Sequence, residues 1–308
     1  MMVFCCRTRD QFVAGQAKIA GHVAAQGYAV IEAWDAESET LKEIAESFGR
    51  VQWHVRAGAD GLVGIGTETA VNRYWEAYRS EYMGVSNEEF LPHTDGSYLH
   101  GLVRRDGHYL QLQPPKMLVL QCWQNAVVGG ANILIDAQRV YGDMAQQNRH
   151  DLDILSTKGC VTYCRDDQIA LDRAVFEDLD DGSTMLRFRY DATAFVAEWA
   201  VEAFHALQTN YFAKPKYRQR LSLTKGQILV IDNYRMLHGR EPFAKGETGQ
   251  ERHLRRVWLA YDRLPVFHNA VGQNLQTRAL QRFQAYDIVA TAKYDATAAR
   301  RRGIRVAA

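Results

Sequence analysis

Residues 226–240 read GQILVIDNYRMLHGR. Gly226 supplies a turn signal, QILVID (227–232) is a short apolar run, and Asp232-Asn233 interrupts it. A run of that length between turn residues reads as a strand. The same pattern recurs at 28–34 (YAVIEAW), 117–123 (MLVLQCW), 131–136 (ANILID), 159–164, 184–190 (TMLRFRY) and 255–261 (RRVWLAY). Helical patterns are fewer. One covers 10–26 and stops at Gly27, one covers 36–48 and stops at Gly49, and one runs over about 193–210. Many short strands with little helix between them predict a sandwich or barrel, mainly β with flanking helices.

The chain has 308 residues, enough for one large or two small domains. Composition is even from about 10 to 285, with no repeat and no linker, which predicts a single domain over 1–308. The end, about 295–308, sets Arg300, Arg301, Arg302 and Arg305 among alanines and reads as a frayed or disordered tail. A net charge of +1 gives no reason to expect nucleic acid or a membrane surface as partner. The opening residues carry no apolar core of a signal peptide, and no apolar run approaches a membrane span. Five cysteines are too few and too scattered for a disulfide framework, so the expected compartment is the reducing cytoplasm. Cys160 and Cys164 lack a second pair at zinc-ligand spacing and read as small buried residues on one strand.

In LPHTDGSY, His93 and Asp95 stand two residues apart. On an extended strand such residues point to one face, so an imidazole and a carboxylate can grip one ion. A third ligand must come from elsewhere, and His238, 145 positions on, is the best candidate. Two His and one carboxylate leave half of an ion's coordination open, which suits iron(II) oxygenases. Alone the pattern is weak: an HxD is common, and the chain has ten histidines. Arg252 and Arg256 follow in ERHLRRVWLAY. On a strand they share a face, with His253 and Arg255 on the other. An arginine fork matches a carboxylate, as the far end of a dicarboxylate co-substrate requires. A solvated, charged strand is the plainer reading of the same segment.

Taken together, these residues resemble the taurine dioxygenase and clavaminate synthase superfamily of 2-oxoglutarate-dependent oxygenases. Four pieces match in order: HTD at 93–95, PPK…GGANILID at 114–136, GQILVIDNYRMLHGR at 226–240 and RHLRR at 252–256. The resemblance covers roughly residues 10 to 265. It implies a double-stranded β-helix, or jelly roll. It also implies Fe(II) on His93, Asp95 and His238, 2-oxoglutarate held by Arg252, and O2 as co-substrate. Arg256 matches a second family arginine beside the co-substrate or substrate. Many members carry a threonine where this chain has Asn132, which can still donate through its amide. The segment between Asp95 and Pro114 looks longer than in several relatives, and long loops near a site usually carry specificity. Halogenating members lack the carboxylate that Asp95 supplies, so the resemblance implies hydroxylation, with succinate and CO2 as co-products. Desaturation or ring closure would use the same residues.

The segments 72–82 and 97–109, dense in Arg, Tyr, Trp and His, flank the HTD motif. They make Trp75, Tyr98, Arg104 and Arg105, together with Arg256, candidates for a small polar substrate bearing an anionic group. An amino acid or a derivative fits. His54, His100 and the remaining histidines read as structural or surface groups. Two other classes compete: a non-catalytic jelly roll that binds a metal or small ligand, and a hydrolase with zinc on the same ligands. The second needs a general base and has no use for Arg252. The sequence leaves the oligomeric state open.

Overall fold

Apolar runs such as ILVI (228–231) and MLVL (117–120) lack polar alternation because both faces of their strands are buried. They form the middle of a six-stranded sheet. Its order is Val3–Cys5, Tyr28–Glu32, Gln227–Asp232, Met117–Gln124, His253–Leu259, Val63–Gly66. The first pair is parallel and the others antiparallel. These elements come from a computed structural model. It describes residues 2–52, 54, 57, 61–66, 87–105, 108–165, 168–179, 181–191, 193–244, 252–260, 266–267 and 305–307.

Alternation along each strand sorts the side chains. Met117, Val119, Ile228, Val230, Val257 and Leu259 share one cluster with Phe12, Ile19 and Val23 of the helix Arg9–Gln26. Leu41, Ile44 and Ala45 of the helix Ser38–Glu46 join it. Each such large apolar side chain contributes about 1.5–3 kcal/mol on burial. The first helix starts where Thr8 Oγ1 accepts from Gln11 N, while Gln11 Oε1 accepts from Arg7 N, a variant of the capping box. It closes at Gly27, as expected from the sequence.

Contacts divide the chain into two units. The first is Met1–Pro92, Pro115–Leu134 and Gln219–Tyr261, and holds the six-stranded sheet and the two helices above. The second is His93–Pro114, Ile135–Arg218 and Asp262–Ala308. It contains the sheet Gln168–Arg173, Val161–Arg165, Ala194–Ala197, Arg305–Ala307, the pair Phe176–Asp178 and Thr184–Leu186, and the helices Ala137–Gln147 and Arg149–Ser156. A further four-stranded sheet runs Arg218–Leu221, Asn132–Asp136, Met236–Arg240, Phe90–His93, most of its residues belonging to the first unit.

Four local expectations are corrected. The helix over about 193–210 begins later: Ala194–Ala197 is a strand, because it pairs with Val161–Tyr163 and so satisfies its backbone in a sheet. The strand over 184–190 ends at Leu186, which pairs with Phe176 and is the last residue in register. The tail is not loose throughout, since Arg305–Ala307 pairs in parallel with Phe195–Ala197. Backbone pairing of that kind leaves no mark on composition. The helices Ala137–Gln147 and Arg149–Ser156 are additional. Asp136 caps the first and Asn148 the second, through side-chain oxygens that accept from Gln138 N and Asp151 N. Cys160 is buried and lies just before its strand, not on it. No disulfide occurs among the described residues, and none of their helices is long and apolar enough to cross a membrane.

Candidate active site

The strand Phe90–His93 stops at His93, and Asp95 opens a turn over 95–98. The strand expected to carry HTD therefore ends two residues before Asp95. The pair meets through a turn because Gly96, at φ 71°, reverses the chain and Leu99 N donates to Gly96 O at 2.8 Å. His93 Nε2 and Asp95 Oδ1 stand 3.5 Å apart, and both residues are buried. His238 lies on Met236–Arg240, the hydrogen-bonded neighbour of the His93 strand. One ligand atom from each of His93, Asp95 and His238 falls within 4.8 Å of the others. Gly239 permits the approach. A Cβ there would stand 2.7 Å from Phe90 O and 2.9 Å from Pro92 N, so any larger residue would push the two strands apart. Two imidazole nitrogens and one carboxylate oxygen fit a divalent iron with positions left open.

Arg252 immediately precedes the strand His253–Leu259. Arg252, Leu254 and Arg256 are buried, while His253 and Arg255 are partly exposed, the alternation expected from the sequence. Arg255 stacks its guanidinium 3.5 Å from the Trp123 ring centroid. Arg252 lines an open pocket with Cys122, Gly130, Asn132, Ser222 and Leu223 among its walls. Its Nη2 donates to Asn132 Oδ1 at 3.3 Å, and among the described residues it meets no carboxylate. Asn132 Nδ2 in turn donates to Leu221 O at 3.4 Å. The amide thus orients the arginine. Burial pulls the Arg252 pKa down to about 10 and pushes the Cys122 thiol up to about 11, the charge interaction between the two opposing both shifts. A buried cation beside a pocket is costly unless an anion joins it.

Gly130 makes room for this arginine. A Cβ there would lie 3.1 Å from Arg252 Cδ and 3.3 Å from Nε, at a φ of 73°. Gly130→Ala is expected to cost about 1–3 kcal/mol of stability for the left-handed backbone alone. It should also tilt Arg252, so the concentration of a carboxylate ligand needed for half-saturation rises. Thermal unfolding with and without ligand checks both.

Arg256 Nη2 donates to His54 Nε2 at 3.1 Å, and the His54 ring meets Trp258 edge-on at 4.2 Å. Because arginine only donates, that His54 nitrogen must accept, which places the ring proton on Nδ1. His54 was legible only as a histidine, because its partner is 202 positions away. Tyr98 is buried in the turn after Asp95. Arg104 and Arg105 lie on the strand Gly101–Arg105, but their side chains, like Trp75 and the whole of 72–82, lie outside the described residues. His100 Nε2 accepts from Arg173 Nη1 at 3.0 Å. Burial, and then Arg173, hold its pKa down to about 3.

The model of the taurine catabolism dioxygenase TauD, TfdA family matches residues 10–258. The chain belongs to that family. Among curated members and relatives, the gamma-butyrobetaine dioxygenase of Homo sapiens is 26% identical over 184 residues, 55% of this chain and 44% of that protein. The match therefore spans less than half of that relative's length. The uridine-5'-phosphate dioxygenase of Amycolatopsis sp is 24% identical over 256 residues, 79% of this chain and 88% of that one. Among solved structures, an asparagine oxygenase in complex with Fe(II), 3-hydroxyasparagine and succinate aligns at a TM-score of 0.60. It covers 82% of each chain at 14% identity. The fold of this TauD-family chain is thus the jelly roll, mainly β with flanking helices, in agreement with its sequence pattern.

Proposed function

We propose that this TauD-family chain is an Fe(II)- and 2-oxoglutarate-dependent oxygenase that hydroxylates a small polar substrate, an amino acid or amino-acid derivative. One observation carries the reading: the buried Arg252 cation, without a carboxylate partner among the described residues, lines an open pocket in a chain that also gathers His93, Asp95 and His238. A metal-binding jelly roll without turnover has no need of that arginine. In this reading His93, Asp95 and His238 hold the iron, and Arg252 receives the distal carboxylate of 2-oxoglutarate. Asn132 keeps the guanidinium aimed into the pocket, and Arg256, steadied by His54, offers a second cation for co-substrate or substrate. Bound iron and 2-oxoglutarate supply the activation of O2. The chain supplies orientation and a shielded site.

The substrate class rests on the cations around the motif and on the amino-acid and betaine chemistry named for two of the similar proteins. Desaturation or cyclisation would employ the same groups. Purified protein, loaded anaerobically with Fe(II), should develop a weak visible charge-transfer band on addition of 2-oxoglutarate. A panel of amino acids, betaines and nucleotides should then be scored for O2-dependent succinate release. The amino-acid group is expected to couple best. Folded, iron-loaded protein without the band would refute the co-substrate assignment, and coupling by nucleotides alone would refute the substrate class.

A further inference from the structure

Arg187 is 1% exposed, one of the largest fully buried side chains of the chain. The sequence offers it only as one polar residue within TMLRFRY. Its Nη1 donates to two backbone carbonyls, Ser97 O at 2.7 Å and Leu99 O at 3.0 Å. Its Nε donates to Glu177 Oε2 at 3.3 Å. Glu177 also pairs with Arg173. The first carbonyl belongs to the turn that Asp95 opens, and the second to the residue that follows it. The other side of Asp95 is tied to the next residue of the same segment: Thr94 N donates to Phe188 O at 2.9 Å, and Phe188 N donates to Thr94 Oγ1 at 3.0 Å. Inside the turn, Ser97 Oγ donates to Thr94 O at 2.9 Å. All these residues lie within the second unit.

Asp95 is therefore bracketed. Residues 187–188 fix the backbone one residue before it and two and four residues after it. A buried guanidinium is expensive to desolvate, and an apolar side chain of similar volume would often fill the space at no loss of stability. What an apolar residue cannot do is hold two carbonyls of a turn in register. We propose that Arg187 is a positioning residue, which sets the Asp95 carboxylate for the metal by clamping the Ser97 and Leu99 carbonyls. The inference rests on the proposed metal role of Asp95.

The test reads metal binding by itself. Metal-free protein is titrated with Co(II), and its d–d absorption reports both affinity and ligand geometry. Arg187→Met is expected to raise the Co(II) dissociation constant by roughly 10- to 100-fold, the usual effect of losing a partner that orients a ligand. The spectrum should also change. Arg187→Lys keeps the charge but lacks the fork that serves carbonyls and Glu177 together, so it should regain only part of the affinity. Tyr163→Phe provides a packing control. It removes a 2.9 Å bond to Arg187 O from a buried phenol and leaves in place the hydrogen bonds described for the turn, so affinity should hold even if melting temperature falls. Wild-type affinity and spectrum in folded Arg187→Met, or in Arg187→Lys should the former not fold, would overturn the inference. An equal loss in Tyr163→Phe would do the same, by making the effect one of general stability. A wild-type chain that takes up no Co(II) would overturn the metal assignment itself, and this inference with it.

Discussion

Asp95→Ala should leave a folded protein that neither retains iron nor turns over. The carboxylate is the sole anionic group of the three that converge, so its loss leaves two neutral imidazoles facing a divalent ion. The affinity loss should exceed the roughly 10- to 100-fold that a mere outer partner contributes. The substitution is small, and the turn keeps its hydrogen bonds through backbone atoms and the Thr94 and Ser97 hydroxyls. Structure should therefore survive. Anaerobic titration with Fe(II), the charge-transfer band with 2-oxoglutarate, and O2-dependent succinate release give three readings of one loss. Retained turnover would place the ion on other ligands.

Arg252→Met should act on the co-substrate and spare the metal. Removing one member of a buried, hydrogen-bonded charge pair costs about 2–5 kcal/mol, which corresponds to a rise of roughly 30-fold to a few thousand-fold in the 2-oxoglutarate KM. Iron affinity should be unchanged, and kcat at saturating co-substrate should fall far less than kcat/KM. The free protein should be no less stable, since burial already disfavours the Arg252 cation and Met fills similar space with no charge to desolvate. The stabilisation that 2-oxoglutarate confers on the wild type by binding its folded state should vanish at the same concentration. An unaltered KM would show that the pocket lined by Arg252, Gly130 and Asn132 seats something else.

How much of this was open to the sequence depends on the distance over which each feature is decided. The strand Gln227–Asp232 falls where its apolar run and flanking turn residues predicted, because a short Ile- and Val-rich segment between breakers has few other places to go. The helix Arg9–Gln26 likewise carries its own start and stop. Where pairing with a remote strand decides, local pattern misled. Ala194–Ala197 looked helical and became a strand beside Val161–Tyr163, and Arg305–Ala307 looked loose and became an edge.

The sequence by itself determined the donor types and their order. HTD, HGR and RHLRR name two imidazoles, a carboxylate and a cation in a fixed succession, because ligand chemistry resides in side-chain identity. Only the tertiary structure decided how they are held. It showed that Asp95 sits on a turn, that Arg187 donates to a carbonyl of that turn from 90 positions away, and that His54 meets Arg256 across 202. It also showed that Asn132 orients Arg252 from 120 positions away. The contacts of Arg187, His54 and Asn132 are hydrogen bonds between segments far apart in the chain. Such a bond needs only a donor and an acceptor in reach, and so it imposes no spacing that a sequence could display.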